Sequence, residues 1–363
     1  MSLEDDIREI EDEIRKTSYN KATSHHIGKL KAKMSRLRDD IEKRASSKGG
    51  GEGYSVKKSG DATVVLVGFP SVGKSTLLNK LTDANSAVGS YEFTTLDIIP
   101  GALEHKGAKM QILDVPGLVK GAAVGRGRGK SVISVIRTAD LVVFLLGVFQ
   151  THHYDVLKNE LYDAGIRVDT RPPDVSIRRT DRGGVIVSRT LTTEIDDDLI
   201  TAILGEYKIR NAHVLIRENI DLDQLIDVIL GNRKYIQSMT VINKIDLANA
   251  DVLEDVKEKF PDALLISADT DINIEELKDT LYHNLGFIHI FLKPRGEEAD
   301  MEEPMIVRVN STVGDICDEL HRDFRRKFRY AQVWGDSAKH EGQRVGLQHT
   351  LLDEDILSIY LEK

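Results

Sequence analysis

Residues 62–81 read ATVVLVGFPSVGKSTLLNKL. Ala62–Val67 is a short, apolar, largely β-branched run that predicts a buried strand, and Thr76–Leu81 has the composition of a helix. Between them stands the pattern G-x-x-x-x-G-K-S, written here by Gly68, Phe69, Pro70, Ser71, Val72, Gly73, Lys74 and Ser75. Strand, glycine-bounded loop and helix in that order form a phosphate-binding loop. The loop's backbone N–H groups converge on phosphate oxygens, and the N-terminus of the helix that begins at Thr76 adds a favourable field. Lys74 reaches the β- and γ-phosphates, and the Ser75 hydroxyl is a ligand for Mg²⁺. The loop by itself leaves the nucleoside and the reaction open.

Outward from this stretch, further apolar runs lie at Met110–Leu113, Leu141–Leu146, Thr240–Ile242 and Ala263–Ile266, with helical patterns between several of them. That alternation predicts an α/β fold with a mostly parallel sheet covered by helices on both faces. The ends of these strands carry the remaining chemistry. Asn243-Lys244-Ile245-Asp246 follows the run Thr240–Ile242. Asp246 can accept two hydrogen bonds from guanine, from N1–H and the 2-amino group, whereas adenine would leave the carboxylate unpaired at a large cost. Lys244 lays its stem along the base, and Asn243 ties this loop to the phosphate loop. Asp114-Val115-Pro116-Gly117 ends the run Met110–Leu113, where Asp114 can hold Mg²⁺ through water and the Gly117 amide can sense the γ-phosphate. Thr94 and Thr95 lie in between, and Thr95 is placed to give Mg²⁺ a hydroxyl. Ser267-Ala268 follows the last apolar run and offers a backbone N–H to guanine O6. Five elements in this order read as a GTPase that binds GTP and GDP, with Lys74, Thr95, Asp114 and Gly117 as its catalytic set.

The flanking sequence adds other modules. Leu3, Ile7, Ile10 and Ile14 form one helical stripe and Ile27, Leu30, Met34, Leu37 and Ile41 a second, which predicts a helical hairpin over residues 1–48. From Ile14 to Arg38 there are eight Lys or Arg residues and no acid, either a solvated face or a contact with RNA phosphates. Residues 49–60 are a flexible linker by composition. The GTPase domain extends over 61–290. Asp114 and Asn243 stand 129 positions apart, whereas two βα units need about 30 residues each, so an α+β insertion occupies about 167–238. Residues 291–363 form a small α+β module. It has strands near Ile306–Val309, Tyr330–Trp334 and Ile356–Leu361, and a helix opened by Thr312 with Asp315 at capping-box spacing. Its Arg322, Arg325, Arg326, Lys327 and Arg329 cluster reads as an RNA-facing strip or a solvated face, while Phe324 and Phe328 at i,i+4 read as core.

Composition bounds the remaining classes. A chain that is 40% hydrophobic and 30% charged folds rather than staying disordered. The net charge of −9 excludes a polycation that coats nucleic acid over its whole surface. Cys317 is the single cysteine, so there is no intrachain disulfide and no cysteine-rich zinc site. Glu4, Asp5 and Asp6 oppose a secretory signal, and the run Leu141–Phe149 is far below the roughly 20 residues of a membrane span. A cytoplasmic protein is expected, with nothing that demands more than a monomer. His152 and His153 lack the partners of a metal site and read as structural.

The stretches GFPSVGKST, YEFTTLDIIPGAL, LDVPGL with its Gly-rich continuation, NKID, NELYDAGIR, GEYKIRNA, YAQVWG and HTLLDEDI together resemble the developmentally regulated GTP-binding proteins within the Obg-like GTPases. The resemblance implies an N-terminal helical hairpin, a GTPase domain with an insertion resembling a ribosomal protein, and a C-terminal β-grasp TGS module. It also implies association with ribosomes and a small stabilising partner protein. Lys120 stands where the resemblance implies an acid, and Gly147 where it implies an aspartate. Many GTPases position the attacking water with a Gln just after D-x-x-G, but here Leu118 and Val119 follow Gly117, so slow intrinsic turnover is expected. Related GTPases lacking that Gln use K⁺ with an Asn in the phosphate loop. Ser71 stands there instead, so K⁺ is an optional cofactor beside Mg²⁺. Two other classes compete: a metabolic kinase, opposed by NKID, and a scaffold GTPase whose target is a partner protein rather than the ribosome.

Overall fold

The computed structural model describes residues 3–18, 23–47, 60–82, 98–115, 128–193, 195–294 and 296–362. They fall into two compact units, one of residues 1–53 and 165–235, the other of residues 54–164 and 236–363.

In the first unit, α1 (Leu3–Lys16) and α2 (Ser24–Ser47) pair through the two stripes expected of a hairpin, with Ile7, Ile10 and Leu37 buried between them. The remaining elements are β5 (Ile166–Val168), β6 (Val175–Arg179), β7 (Val185–Arg189), α6 (Asp197–Glu206), β8 (Ala212–Ile216) and α7 (Leu222–Leu230). β6, β8 and β7 form a three-stranded sheet in that order, antiparallel then parallel. Asp196 caps α6 and Asp221 opens α7 with a capping box to Gln224, which satisfies N–H groups that the first turn leaves unpaired. α2 shares the core of this sheet and its helices. Ala32 is fully buried there, and a Cβ on Gly28 would stand 2.8 Å from Leu199 Cδ1, so a side chain at that position would force the leucine to shift.

That approach absorbs much of the basic run. Lys31 Nζ donates to Asp223 at 2.7 Å, Arg36 Nη1 to the Glu206 carbonyl at 2.5 Å, and Arg38 Nη2 to Glu11 at 2.7 Å. Beside them, buried Asp227 accepts two bonds from Arg167, at 2.6 and 2.8 Å, and one from Arg233 at 2.7 Å. Arg233 also donates to Ser35 on α2 at 3.1 Å. Three of the eight cations expected to face solvent or RNA, Lys31, Arg36 and Arg38, therefore have an internal structural use, whereas Lys29 and Lys33 remain exposed.

The second unit begins with β1 (Ala62–Val67), α3 (Lys74–Leu81), β2 (Ile99–His105), β3 (Ala108–Asp114), α4 (Arg128–Ile136), β4 (Leu141–Gly147) and α5 (His153–Asp163). It resumes with β9 (Lys234–Asn243), α8 (Ala250–Lys259), β10 (Leu264–Leu265) and α9 (Ile274–Asn284). The sheet order is β10-β9-β4-β1-β3-β2, parallel except for β2 against β3. β1 and β4 are buried along their whole length, as strands covered on both faces must be. Leu77 and Leu78 of α3 and Leu277 and Leu281 of α9 cover one face with Val64, Leu66 and Val143. On the other, the Phe144 ring meets Tyr154 of α5 edge-on at 5.3 Å.

The chain then forms β11 (Phe287–Leu292), β12 (Met305–Arg308), α10 (Val313–Leu320), α11 (Arg322–Arg326), β13 (Phe328–Trp334), β14 (Gln343–Val345) and β15 (Asp355–Leu361), a second sheet in the order β12-β11-β15-β13-β14. Thr312 and Asp315 make the expected capping box at α10, and Phe324 and Phe328 pack against the core beneath it. In the basic strip, Arg325 pairs with Asp318, and Arg326 with Asp323 at 2.8 Å, so the strip is part structural, with Arg322, Lys327 and Arg329 exposed. Among the described residues no helix is long and apolar enough to cross a membrane.

Candidate nucleotide site

The parallel strands bring their C-terminal ends to one rim, where the loops that leave β1, β9 and β10 meet and Asp114 ends β3. In α/β sheets this rim is where ligands bind. A cavity of about 360 Å³ opens on it, lined by Ser71, the turn at 73–76, Asn243, Lys244 and Asp269.

At one end of the cavity the phosphate loop wraps the N-terminus of α3. Gly73 begins the helix in the left-handed region, φ +96°, and no side chain caps it, so its first N–H groups face the cavity. A Cβ on Gly73 would stand 2.4 Å from Asn243 Nδ2, which restricts the position to glycine on two grounds. Lys74 is buried, and its ammonium folds back onto the Gly68 and Phe69 carbonyls at 3.1 and 3.3 Å. Burial lowers its pKa, and the charge of Asp114 partly opposes that shift.

Asp114 itself is 6% exposed. Its Oδ2 accepts a bond from the Ser75 hydroxyl at 2.7 Å, while Oδ1 is buried with no hydrogen-bond partner among the described residues. A buried, unsatisfied carboxylate oxygen beside a hydroxyl is costly unless a ligand completes it. The hard oxygen donors suit Mg²⁺, and Ser75 and Asp114 fit that ion. No cluster of three or more His, Cys, Asp or Glu that could hold a metal occurs among the described residues, so the ion would need phosphate or water oxygens to fill its shell.

At the other end, Asn243 is 2% exposed and joins three loops. Its Nδ2 donates to the Val72 carbonyl at 3.0 Å and its Oδ1 accepts from the Ala268 amide at 2.9 Å. Lys244, left-handed at φ +67°, donates to the Ser71 carbonyl at 2.7 Å. Asp246 Oδ1 accepts from the fully buried Ser267 hydroxyl at 2.5 Å.

The structure thus brings together residues 68–76, Asp114, the tetrapeptide 243–246 and Ser267-Ala268. Two details differ from the sequence reading. Of the Ser267-Ala268 pair, expected to offer a backbone N–H to guanine O6, the Ala268 amide donates to Asn243 and the Ser267 amide to the Ile272 carbonyl, while the Ser267 hydroxyl acts on Asp246. Phe69, counted with the loop, turns its ring away to stack on His153 at 4.0 Å, a neighbour whose pKa is lowered by burial and by His152. Asp269 was not anticipated; its only signal was adjacency to Ser267-Ala268. Thr94, Thr95, Gly117, Leu118, Val119 and Lys120 lie outside the described residues.

The model of a family described as "50S ribosome-binding GTPase" matches residues 63–179, one described as the C-terminal region of that domain matches residues 182–287, and a TGS domain matches residues 288–361. An uncharacterized GTP-binding protein of Methanocaldococcus jannaschii is 55% identical over 100% of this chain and 94% of its own. The developmentally-regulated G-protein 3 of Arabidopsis thaliana is 45% identical and the developmentally-regulated GTP-binding protein 1 of Xenopus laevis 42% identical, each over 97% of both chains.

Proposed function

The chain belongs to the developmentally regulated GTP-binding protein family and is a GTPase, and from that premise we propose that it is a slow, Mg²⁺-dependent switch acting on ribosomes in the cytoplasm. The observation that carries the reading is that beside a cavity lined by Ser75 and Lys244, Asp114 bonds Ser75 and keeps an orphaned carboxylate oxygen, while Asp246, two positions beyond Lys244, is oriented by the Ser267 hydroxyl.

In this reading the N–H groups of α3 hold phosphate oxygens, and Lys74 leaves the Gly68 and Phe69 carbonyls to reach the β- and γ-phosphates. The low dielectric that depresses its pKa strengthens its attraction to phosphate. Ser75 and Thr95 would hold magnesium through their hydroxyls and Asp114 would hold it through water, and the ion would supply neutralisation of charge on the transferring phosphoryl group. Gly117 senses the γ-phosphate. Asp246 pairs with guanine, and Lys244 supports the base. Leu118 and Val119 cannot orient water, so turnover is slow until a partner or the ribosome completes the site. Replacing K⁺ by Na⁺ tests an accessory cation directly, and an unchanged rate removes it.

The ribosome is favoured as target by the match to a ribosome-binding GTPase model and by the cations that the fold leaves exposed, Lys29 and Lys33 on α2 and Arg322, Lys327 and Arg329 on the C-terminal module. A small protein partner that stabilises a monomeric chain completes the proposal. Co-sedimentation with ribosomes, run with a non-hydrolysable GTP analogue, with GDP and without nucleotide, tests it. Stronger pelleting with the analogue is expected. No pelleting in any state would move the target to a partner protein.

A further inference from the structure

The stretch YAQVWG is not used by the nucleotide site, yet its strand places a set of rings on one face of the C-terminal sheet. In β13 and β15 the alternate residues Ala331, Val333, Leu357 and Ile359 point into the core. The pairs Tyr330↔Tyr360, Gln332↔Ser358 and Trp334↔Ile356 therefore share the opposite face, and Arg344 joins them from β14 through its pairing with Gln332.

The Tyr330 and Tyr360 rings stack at 4.5 Å with 13° between their planes. Arg344 lies over the Tyr330 ring at 4.6 Å and Arg329 approaches the same ring at 5.9 Å. Lys293 Nζ stands 4.9 Å from the Trp334 ring. The rings are half-buried, the arginines are exposed, and none of the strand residues on this face is a carboxylate. A core needs apolar contact, and a surface needs charge. A guanidinium and two rings stacked in series, with a second cation over an indole, instead offer flat π-faces and positive charge together. That combination fits a polyanion that carries unpaired planar groups.

We propose that this face binds single-stranded RNA, with unpaired bases stacking on the outer faces of Tyr360, Arg344 and Trp334 while Arg329 and Lys293 meet the phosphates. The proposal rests on the reading that the protein acts on ribosomes, and it names the form of RNA that the C-terminal module takes. Duplex RNA keeps its bases paired and presents mainly backbone and shape. An acidic peptide would use the cations and leave the ring faces without partners.

Trp334 is the chain's one tryptophan, so its fluorescence reports on this face and no other. The full-length protein is titrated with a short fluorescein-labelled single-stranded RNA, followed by anisotropy, and with the unlabelled RNA, followed by Trp334 emission. Saturable binding with quenching of Trp334 is expected, competed by unlabelled single strands and poorly by a blunt duplex or by polyglutamate. Arg344→Gln leaves the tyrosine pair in place, and Tyr360→Leu removes one stacking face. Each should weaken RNA binding roughly tenfold while GDP affinity stays unchanged. Competition by polyglutamate as strong as by RNA, binding with no change in Trp334 emission, or wild-type affinity in both variants would overturn the proposal. Ribosome pelleting of the same proteins separates the two claims. A wild-type protein that pellets but ignores the oligonucleotide refutes the stacking face and leaves the ribosome reading standing. One that binds the oligonucleotide as described but does not pellet supports the face and removes the ribosome.

Discussion

Replacing Asn243 by Ala should loosen the whole nucleotide rim. The side chain makes two bonds, to the Val72 carbonyl at 3.0 Å and from the Ala268 amide at 2.9 Å, and both partner residues are 1% exposed. Truncation leaves a carbonyl and an amide unpaired at roughly 1–3 kcal/mol each. The cavity beside them admits water, which favours the lower part of that range, about 2–3 kcal/mol in all. These bonds exist without nucleotide, so the loss appears first in stability, as a fall of about 4–12 °C in Tm for a unit of this size. GDP must then align two loops that Asn243 otherwise aligns in advance, and its affinity falls by up to about 150-fold. Thermal melts with and without GDP, and titration with a fluorescent GDP analogue, measure both. A variant that melts with the wild type and binds GDP within about twofold of it, the range of a neutral surface substitution, would refute the claim that Asn243 prealigns the loops.

Other outcomes follow from the first unit. Asp227→Ala leaves buried Arg167 and partly buried Arg233 without their carboxylate and should cost about 3–5 kcal/mol in urea unfolding; a loss below about 1 kcal/mol would mean that water already screens the cluster. Gly28→Leu meets Leu199 at 2.8 Å and should destabilise the unit by about 1–3 kcal/mol, read as faster proteolysis between α2 and α6. Burial pushes the Tyr207 phenol up to about 12, while the unfolded chain ionises near 10. The phenol therefore contributes its full stabilisation below pH 10 and loses it as pH rises toward 12. Tyr207→Phe should flatten that decline, and alkaline unfolding curves that coincide for the two proteins would contradict the assignment.

What the sequence made legible was whatever is local. The phosphate loop, the 243–246 tetrapeptide and the Thr312 capping box are short patterns whose geometry is set by adjacent residues, and the stripes of α1 and α2 mark their contact by period alone. What stayed hidden depends on partners far away in sequence. The basic run of α2 gives no sign that Lys31 will meet Asp223 or Arg36 the Glu206 carbonyl. β6 and β8 do alternate, with Ser176, Arg178 and His213 outside and Val175, Ile177, Ala212 and Val214 turned to the core, but each is only five residues long, too short a stretch to stand out from a loop. Ser267 and Asp246 are brought into contact only by the pairing of β9 with β10. Likewise Tyr330 and Tyr360 become neighbours only when the register of β13 and β15 is known.

The most direct test of the central claim is nucleotide competition on Asp246→Asn. Wild type should bind GDP far more tightly than xanthosine diphosphate. The variant should reverse that order, because an amide in place of the carboxylate offers a donor where guanine also donates and xanthine accepts. An Asp246→Asn protein that still prefers GDP would show that the base is read elsewhere, and the rim formed by residues 243–246 and Ser267 would not be the guanine site.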